Sequence, residues 1–416
     1  MKLPTQRAGL LCGTPPKPVP PFRHSAKLRR KTIPPRSKNG ASWRRRVTSV
    51  PEILAKRNLT RADIITLLAV RDIEDMELIR KAAEQTLLKY CSDTVHWRGL
   101  IEFSNECRMN CHYCGIRCGN KSVKRYTLSE EEIVEAAKWC ATQGYGSVVL
   151  QSGERNDEES ISFVERTVRR IKVETVSKAL PLGLGITLCV GEQSPETYRR
   201  FFEAGAHRYL LRIETTNRKL FESIHPPSQR LDTRLACLRS LKESGFQVGT
   251  GVMIGLPSQT IEMLAADILF FREYDIDMIG MGPYIPHPDT PLGKNLKPTG
   301  TETKNRLQLG LLMIAMTRLF LKNVNIAATT ALQALDPTGR EQGLLYGANI
   351  LMPQLTPSEH RKDYLLYPNK PCLGEDRSDC AECLAARIRS VGRKLGLNEW
   401  GDSRHSRKPD NKQSNC

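Results

Sequence analysis

The sequence predicts an α/β protein: a (βα)8 barrel of the TIM type, with an N-terminal helical extension and a C-terminal cysteine segment. Three observations carry this. Between residues 98 and 355, short apolar runs of strand length alternate eight times with longer helical stretches. The first apolar run leads straight into three cysteines within eight residues, at the strand end where such barrels carry their chemistry. The charge excess is segregated into a tail, which leaves a body of ordinary composition.

The tail comes first. Residues 1–51 hold thirteen Lys and Arg and no Asp or Glu, so only five of the +18 net charges belong to the remaining chain. Residues 1–50 are rich in Pro, Arg, Lys and Ser and are expected to be disordered. An acid-free basic segment has the composition of an organellar transit peptide, which would place the mature protein in an organelle matrix such as that of a mitochondrion. The alternatives are a solvated tail on a cytoplasmic protein or a nucleic-acid-binding arm. With the excess confined there, the folded body is expected to bind no nucleic acid. No apolar run approaches the roughly 18 residues of a membrane span, so no membrane partner is expected. Thirteen scattered and clustered cysteines read as metal ligands in a reducing compartment, not as a disulfide framework.

Residues 51–97 read as helices packed against one end of the barrel. Thr60 and Asp63 form a capping pattern, and apolar positions fit two short helices over 64–79 and a third over 82–90. In the barrel, strands are expected at 99–104, 147–151, 183–189, 207–213, 247–254, 278–281, 325–328 and 348–352. Helices are expected between them, over 129–142, 161–178, 195–204, 233–244, 261–274 and 303–321. A C-terminal segment over 356–400 and a disordered tail over 401–416 complete the division.

Cys107, Cys111 and Cys114 stand at C-x3-C-x2-C spacing on the loop after the first strand. Three thiolates so close reach three corners of one iron–sulfur cluster. The missing fourth ligand leaves one iron open to something other than protein, the mark of a catalytic site. The alternative is a structural zinc knuckle completed by Cys118 or His112. After the second strand, Gln151-Ser152-Gly153-Glu154 offers a close backbone approach, with amides facing a ligand. After the fourth, Arg212 and Glu214 sit where a sealed core would not tolerate them. Arg212, or Arg234 on the next helix, can fork onto a carboxylate, and Glu214 can accept from hydroxyls. The alternative is a rim salt bridge between Arg212 and Glu214. Small residues around Gly249 and Gly251 would let a flat ring lie on backbone beside Met253. The proline-studded loop 283–291 would fix His287 and Asp289 over the cavity, with Thr329 and Thr330 at its mouth; the alternative is that the loop is only a stiff connection. Cys372, Cys380 and Cys383 suggest a second metal centre with His360 as a candidate partner; the alternative is three free thiols.

The cysteine loop, with Tyr113 as the aromatic before its last cysteine, resembles the signature of the radical S-adenosylmethionine (SAM) superfamily. The longer strings resemble more narrowly the FeFe-hydrogenase maturases of its biotin-synthase-like group. They are residues 101–105, 149–154, 209–215, 255–257, 282–292, 328–330 and 339–341 together with the C-terminal cysteines, from about Arg71 to Trp400. The resemblance implies a [4Fe-4S] cluster on Cys107, Cys111 and Cys114 whose open iron chelates SAM. It implies SAM held by Tyr113, Gln151, Ser152, Gly153, Glu154, Arg212, Glu214, Arg234 and Met253. It implies reductive SAM cleavage and a radical acting on an organometallic iron–cysteine precursor inside the barrel. His287, Asp289, Thr329, Thr330, Tyr364 and Tyr367 would line that cavity. It further implies an accessory [2Fe-2S] or [4Fe-4S] cluster dispensable for activity, a HydG-like supplier of the precursor, a HydF-like scaffold downstream and an electron donor such as ferredoxin. The chain departs from the pattern at Ile213 (often His), at Ser258 (commonly Gly), at the additional Cys118 and in its basic N-terminal extension, which with the resemblance implies import into a hydrogenosome or plastid. Other readings are another biotin-synthase-like enzyme, such as a methylornithine synthase, a non-catalytic iron–sulfur carrier, and a basic RNA-binding protein with a structural metal.

Overall fold

The structure, a computed structural model, describes residues 48–406. Nearly all of the basic tail, and with it the transit-peptide reading, lies outside the described residues, as does the chain from 407 on.

The strands are β1 Thr94–Ser104, β2 Ser147–Ser152, β3 Gly185–Cys189, β4 Arg208–Leu210, β5 Gln247–Thr250, β6 Met253–Ile254, β7 Met278–Ile279, β8 Gly282–Pro283, β9 Asn325–Ile326, β10 Ile350–Leu351 and β11 Lys394–Gly396. Eight of them pair in the order β10-β1-β2-β3-β4-β5-β7-β9, every pair parallel. A parallel bridge between Ala327 and Ile350, with the Asn349 amide on Ile326 O at 2.9 Å, joins the last strand to the first. The sheet therefore closes as the expected barrel. Its strands are apolar on both faces because helices cover the outside and side chains fill the inside: Val148, Val149, Leu150, Ile186 and Leu188 are all buried.

The outer helices start where the sequence supplies caps. Ser129 and Glu132 form a capping box for Glu130–Thr142, and Thr299 with Glu302 does the same for Gly300–Leu321. The Thr60–Asp63 box is present as expected. Beyond it the N-terminal reading needs two corrections. Residues Ile73–Tyr90 form one helix, because Arg80 ties Glu77 (2.7 Å) to Glu84 (2.6 Å) across the expected break. The extension packs on the barrel's flank, not across an end: Arg61–Leu68 lies on Ile261–Glu273, and Ile73–Tyr90 on Gly300–Leu321.

Other differences concern the strand ends. The fourth strand stops at Leu210, and the expected strand at 247–254 divides at Gly251 into β5 and β6. β6 pairs with β8 in the register of β5 and β7, and a parallel bridge between Glu214 and Val252 keeps it beside the chain that follows β4, so the wall continues past the break toward the mouth. The helix Arg377–Ser390 was not anticipated; Cys380, Leu384 and Ile388 are its buried stripe. The tail expected at 401–416 is, over its described part, packed into the strand N-termini. Gly401 O accepts from Arg98 Nη2 (3.0 Å) and Asn325 Nδ2 (2.8 Å), and Trp400 O from Arg208 Nη1 (2.9 Å). Asp402 pairs with Arg208, which is fully buried. Buried guanidinium groups need acceptors, and this segment provides them.

Candidate active site

The strand C-termini surround a cavity of about 320 Å³. Cys107, Cys111 and Cys114 all line it, on a loop with no regular structure of its own. Arg125 holds that loop by donating to the carbonyls of Asn105 (2.6 Å), Ile116 (2.7 Å) and Arg117 (2.7 Å). Arg125 was not singled out from the sequence, where only its place in a basic run marks it.

Burial pushes the Cys114 thiol up to about 12 and raises Cys107 and Cys111 as well. Alone, the three stay protonated; a metal cation replaces the proton and reverses that preference. Among the described residues, the metal-ligating group whose atoms all lie within 4.8 Å of one another is Cys372, Glu375 and Cys380. The three loop cysteines are more widely spaced, which suits a multi-iron cluster better than a single ion. Of the residues considered for zinc, His112 turns Nδ1 to Ser223 O at 3.1 Å, and neither His112 nor Cys118 lines the cavity. The sulfurs also have protein partners: the Glu154 amide donates to Cys107 Sγ at 3.4 Å, and Cys111 Sγ lies 3.3 Å from Gln229 Oε1.

Tyr113, Gln151, Ser152, Gly153, Glu154, Arg212, Glu214, Arg234 and Met253 all line the cavity. The amides expected to face a ligand after β2 are otherwise engaged, Gly153 N on Ser104 O (2.9 Å) and Glu154 N on Cys107 Sγ. Gly153 is needed for close approach, since a Cβ there would stand 2.2 Å from Glu106 O. The Glu154 carboxylate accepts from Arg108 (3.0 Å) and from the Glu192 amide (2.9 Å), so it braces the β3 turn. Arg212 and Glu214 form the rim salt bridge kept as the alternative, at 2.9 Å. Arg212 Nε nevertheless remains buried without a partner, which leaves one guanidinium edge for an anionic group. Glu214 adopts φ +63°, a left-handed backbone that non-glycine residues enter rarely and mostly at functional positions. Arg234 pairs with Glu192 at 2.6 Å, a partner the sequence reading missed. The signal for Glu192 was there: it follows β3 as Glu154 and Glu214 follow β2 and β4. Gly249 and Gly251 do not make room for a ligand. A Cβ on Gly251 would meet Gly280 O at 1.9 Å, so these glycines let neighbouring strands approach.

On the far wall, Thr329, Thr330, Tyr364 and Tyr367 line the cavity as expected, with Thr330 Oγ1 and Tyr367 OH 2.5 Å apart. His287 and Asp289 do not. The His287 ring packs behind Gly115, its Nδ1 accepting from the Asp289 amide at 3.1 Å, while Asp289 is exposed. The prolines do fix the loop, but with these side chains turned away from the cavity. Sequence reasoning also missed Lys370 and Glu102, an ion pair at 2.6 Å in the cavity wall, with Gln354 Nε2 on the same carboxylate. They are 268 residues apart, so no local pattern announces them.

The C-terminal cysteines lie outside this cavity. Cys372 and Cys380 come together with Glu375, whereas Cys383 Sγ accepts from Arg387 Nε at 3.4 Å. His360 stacks on Tyr126, ring centroids 4.5 Å apart, and joins no ligand group.

The profile of the Radical SAM superfamily matches residues 101–271. The [FeFe] hydrogenase maturase subunit HydE of Thermotoga maritima is 43% identical over 350 residues, 84% of this chain and 95% of that protein. The 3-methylornithine synthase of Methanosarcina acetivorans is 28% identical over 312 residues, 74% of this chain and 83% of that one. Among solved structures, methylornithine synthase superposes with a TM-score of 0.67 at 25% identity, covering 84% of this chain and 97% of its own. The maturase HydG from Carboxydothermus hydrogenoformans superposes at 0.68 with 18% identity, covering 84% and 78%, a likeness of fold. The chain is a radical SAM enzyme and belongs to the HydE family of [FeFe] hydrogenase maturases.

Proposed function

We propose that the enzyme cleaves SAM reductively and directs the resulting radical at an organometallic iron–cysteine species carrying carbonyl and cyanide, during assembly of the hydrogenase di-iron subcluster. The observation that carries this is one continuous cavity. The three cysteines and the Arg212, Glu214 and Arg234 constellation line one wall, and Thr329, Thr330, Tyr364 and Tyr367 the other. A [4Fe-4S] cluster on the three thiolates supplies the chelating iron and the electron for SAM cleavage. The chain's own contribution is positioning. Arg212 Nε offers a donor to the SAM carboxylate. Glu214, held by its backbone turn, accepts from ribose hydroxyls. The hydroxyls of Thr329, Thr330 and Tyr367 face the substrate. Packed flanks and the 400–406 segment exclude water, which a reactive carbon radical requires.

In this reading the substrate comes from a HydG-like maturase and the product passes to a HydF-like scaffold. Cys372, Cys380 and Cys383 would carry at most a dispensable accessory cluster, and the N-terminal segment would direct import into an organelle. The test is anaerobic reconstitution with iron and sulfide, followed by dithionite and SAM, with 5′-deoxyadenosine measured for wild type and Cys111→Ala. Deoxyadenosine from wild type alone, faster with a synthetic iron–cysteine carbonyl cyanide complex, supports the reading. No SAM cleavage, or cleavage indifferent to that complex but accelerated by an amino acid such as lysine, overturns it.

A further inference from the structure

Helices cover the barrel's flank, and residues 400–406 cover the strand N-termini. The cysteine loop itself reaches the surface: Cys107, Cys111 and Cys114 are partly exposed as residues, while their thiols turn inward to the cavity. Two other segments flank that loop. The His112 amide donates to Ile224 O and the Leu292 amide to His112 O, each at 2.9 Å. Segments 105–125, 216–230 and 286–299 thus form one rim.

That rim is strongly basic. The three segments contain ten Lys and Arg against three Asp and Glu. Lys121, Lys124, Lys219, Arg230, Lys294 and Lys297 are exposed, and among the described residues none of the six has a carboxylate within ion-pair distance. The barrel flank is different. There Arg170 pairs with Glu131 and Glu174, and Arg200 with Glu158 and Glu165. Cations left unneutralised in one place create a field that reaches about a Debye length, some 8–10 Å. Leu296 is 36% exposed between Lys294 and Lys297 and gives the patch an apolar contact.

We infer that this rim is the docking surface for an acidic one-electron carrier protein. The inference rests on the reductive chemistry proposed above, which needs electrons delivered singly: the carrier loses one and the cluster on the three thiolates gains it. A nucleic acid would suit the charge, but among the described residues no exposed aromatic side chain stands in the three segments to stack a base.

The test compares wild type, the triple variant Lys121→Glu/Lys124→Glu/Lys294→Glu, and the control Lys178→Glu, which lies at the opposite end of the barrel. The probe is an acidic plant-type [2Fe-2S] ferredoxin. Two quantities are read: ferredoxin affinity at low and at physiological salt, and deoxyadenosine formation driven by reduced ferredoxin or by dithionite. The triple variant is expected to lose at least about tenfold in affinity and in ferredoxin-driven rate, with the dithionite-driven rate unchanged. Wild-type affinity is expected to fall with salt, and the control to match wild type. A triple variant that binds ferredoxin and accepts its electrons like wild type overturns the inference. So does a rim that binds a single-stranded oligonucleotide but no ferredoxin. If dithionite yields no deoxyadenosine from wild type, the proposed chemistry fails, while the binding arm still decides the surface.

Discussion

Replacing Lys370 by Met strands a charge inside the protein. The side chain of Glu102 is 2% exposed and that of Lys370 is 7%, and the ammonium is the carboxylate's one cationic partner among the described residues. Removing one member of a buried pair costs about 3–5 kcal/mol, since the remaining ion keeps its desolvation penalty without its attraction. Gln354 Nε2 stays on the carboxylate and moderates the loss. An unfolding entropy of about 2.1 cal/mol/K per residue over roughly 360 residues converts each kcal/mol to about 1.3 °C. Lys370→Met is therefore expected to lower the melting temperature by about 4–7 °C in scanning calorimetry. The pair Lys370→Met/Glu102→Gln removes both charges and is expected to recover at least half of that. A single variant melting within 1 °C of wild type, or a double variant no better than the single, refutes the reasoning that this pair is held by mutual neutralisation.

Three further predictions follow from particular contacts. Gly153→Ala forces a methyl against Glu106 O and Cys107 Cβ, so reconstituted protein is expected to hold several-fold less iron and sulfide than wild type, by direct quantitation. Ser258, at φ +63° on an exposed turn, stands where glycine relieves about 1 kcal/mol of backbone strain; Ser258→Gly is expected to melt about 1 °C higher and Ser258→Val lower. Burial pushes the Asp267 carboxyl up to about 7, against two hydrogen bonds from Thr216. The folded form then keeps a proton that the unfolded chain releases above about pH 4, so stability falls as pH rises from about 4 to 7 and is level above. Asp267→Asn is expected to remove that decline, melting higher than wild type at pH 8 and equally near pH 4; parallel curves would exclude the effect.

Much of the barrel was legible because parallel strands covered on both faces must be largely apolar, as Val148–Leu150 is, with Ile186 and Leu188 in the next strand. The sites at the strand ends were legible for the opposite reason: Arg212 and Glu214 are charges that no core would accept. What stayed hidden depends on distant partners. Lys370 meets Glu102, Arg234 meets Glu192, and Arg98 and Arg208 meet residues 400–402, each contact joining segments far apart in the chain. The direction of a side chain on an irregular loop was equally hidden. The prolines around His287 announced rigidity but not that the ring faces Gly115 instead of the cavity.

The packing of residues 400–406 beneath the strands has a consequence for how the molecule is made. The last barrel strand ends at Leu351, some fifty residues before the segment that closes the floor. During synthesis all eight wall strands leave the ribosome while Arg98 and Arg208 still lack their carbonyl and carboxylate partners. In order of synthesis the floor is therefore the last part of the barrel to become available, and it closes through contacts with residues some two to three hundred positions earlier in the chain. A chain stalled or clipped before residue 400 would keep every cysteine and side chain that lines the cavity, yet would deprive two buried cations, Arg98 and Arg208, of their carbonyl and carboxylate partners and leave the strand N-termini uncovered.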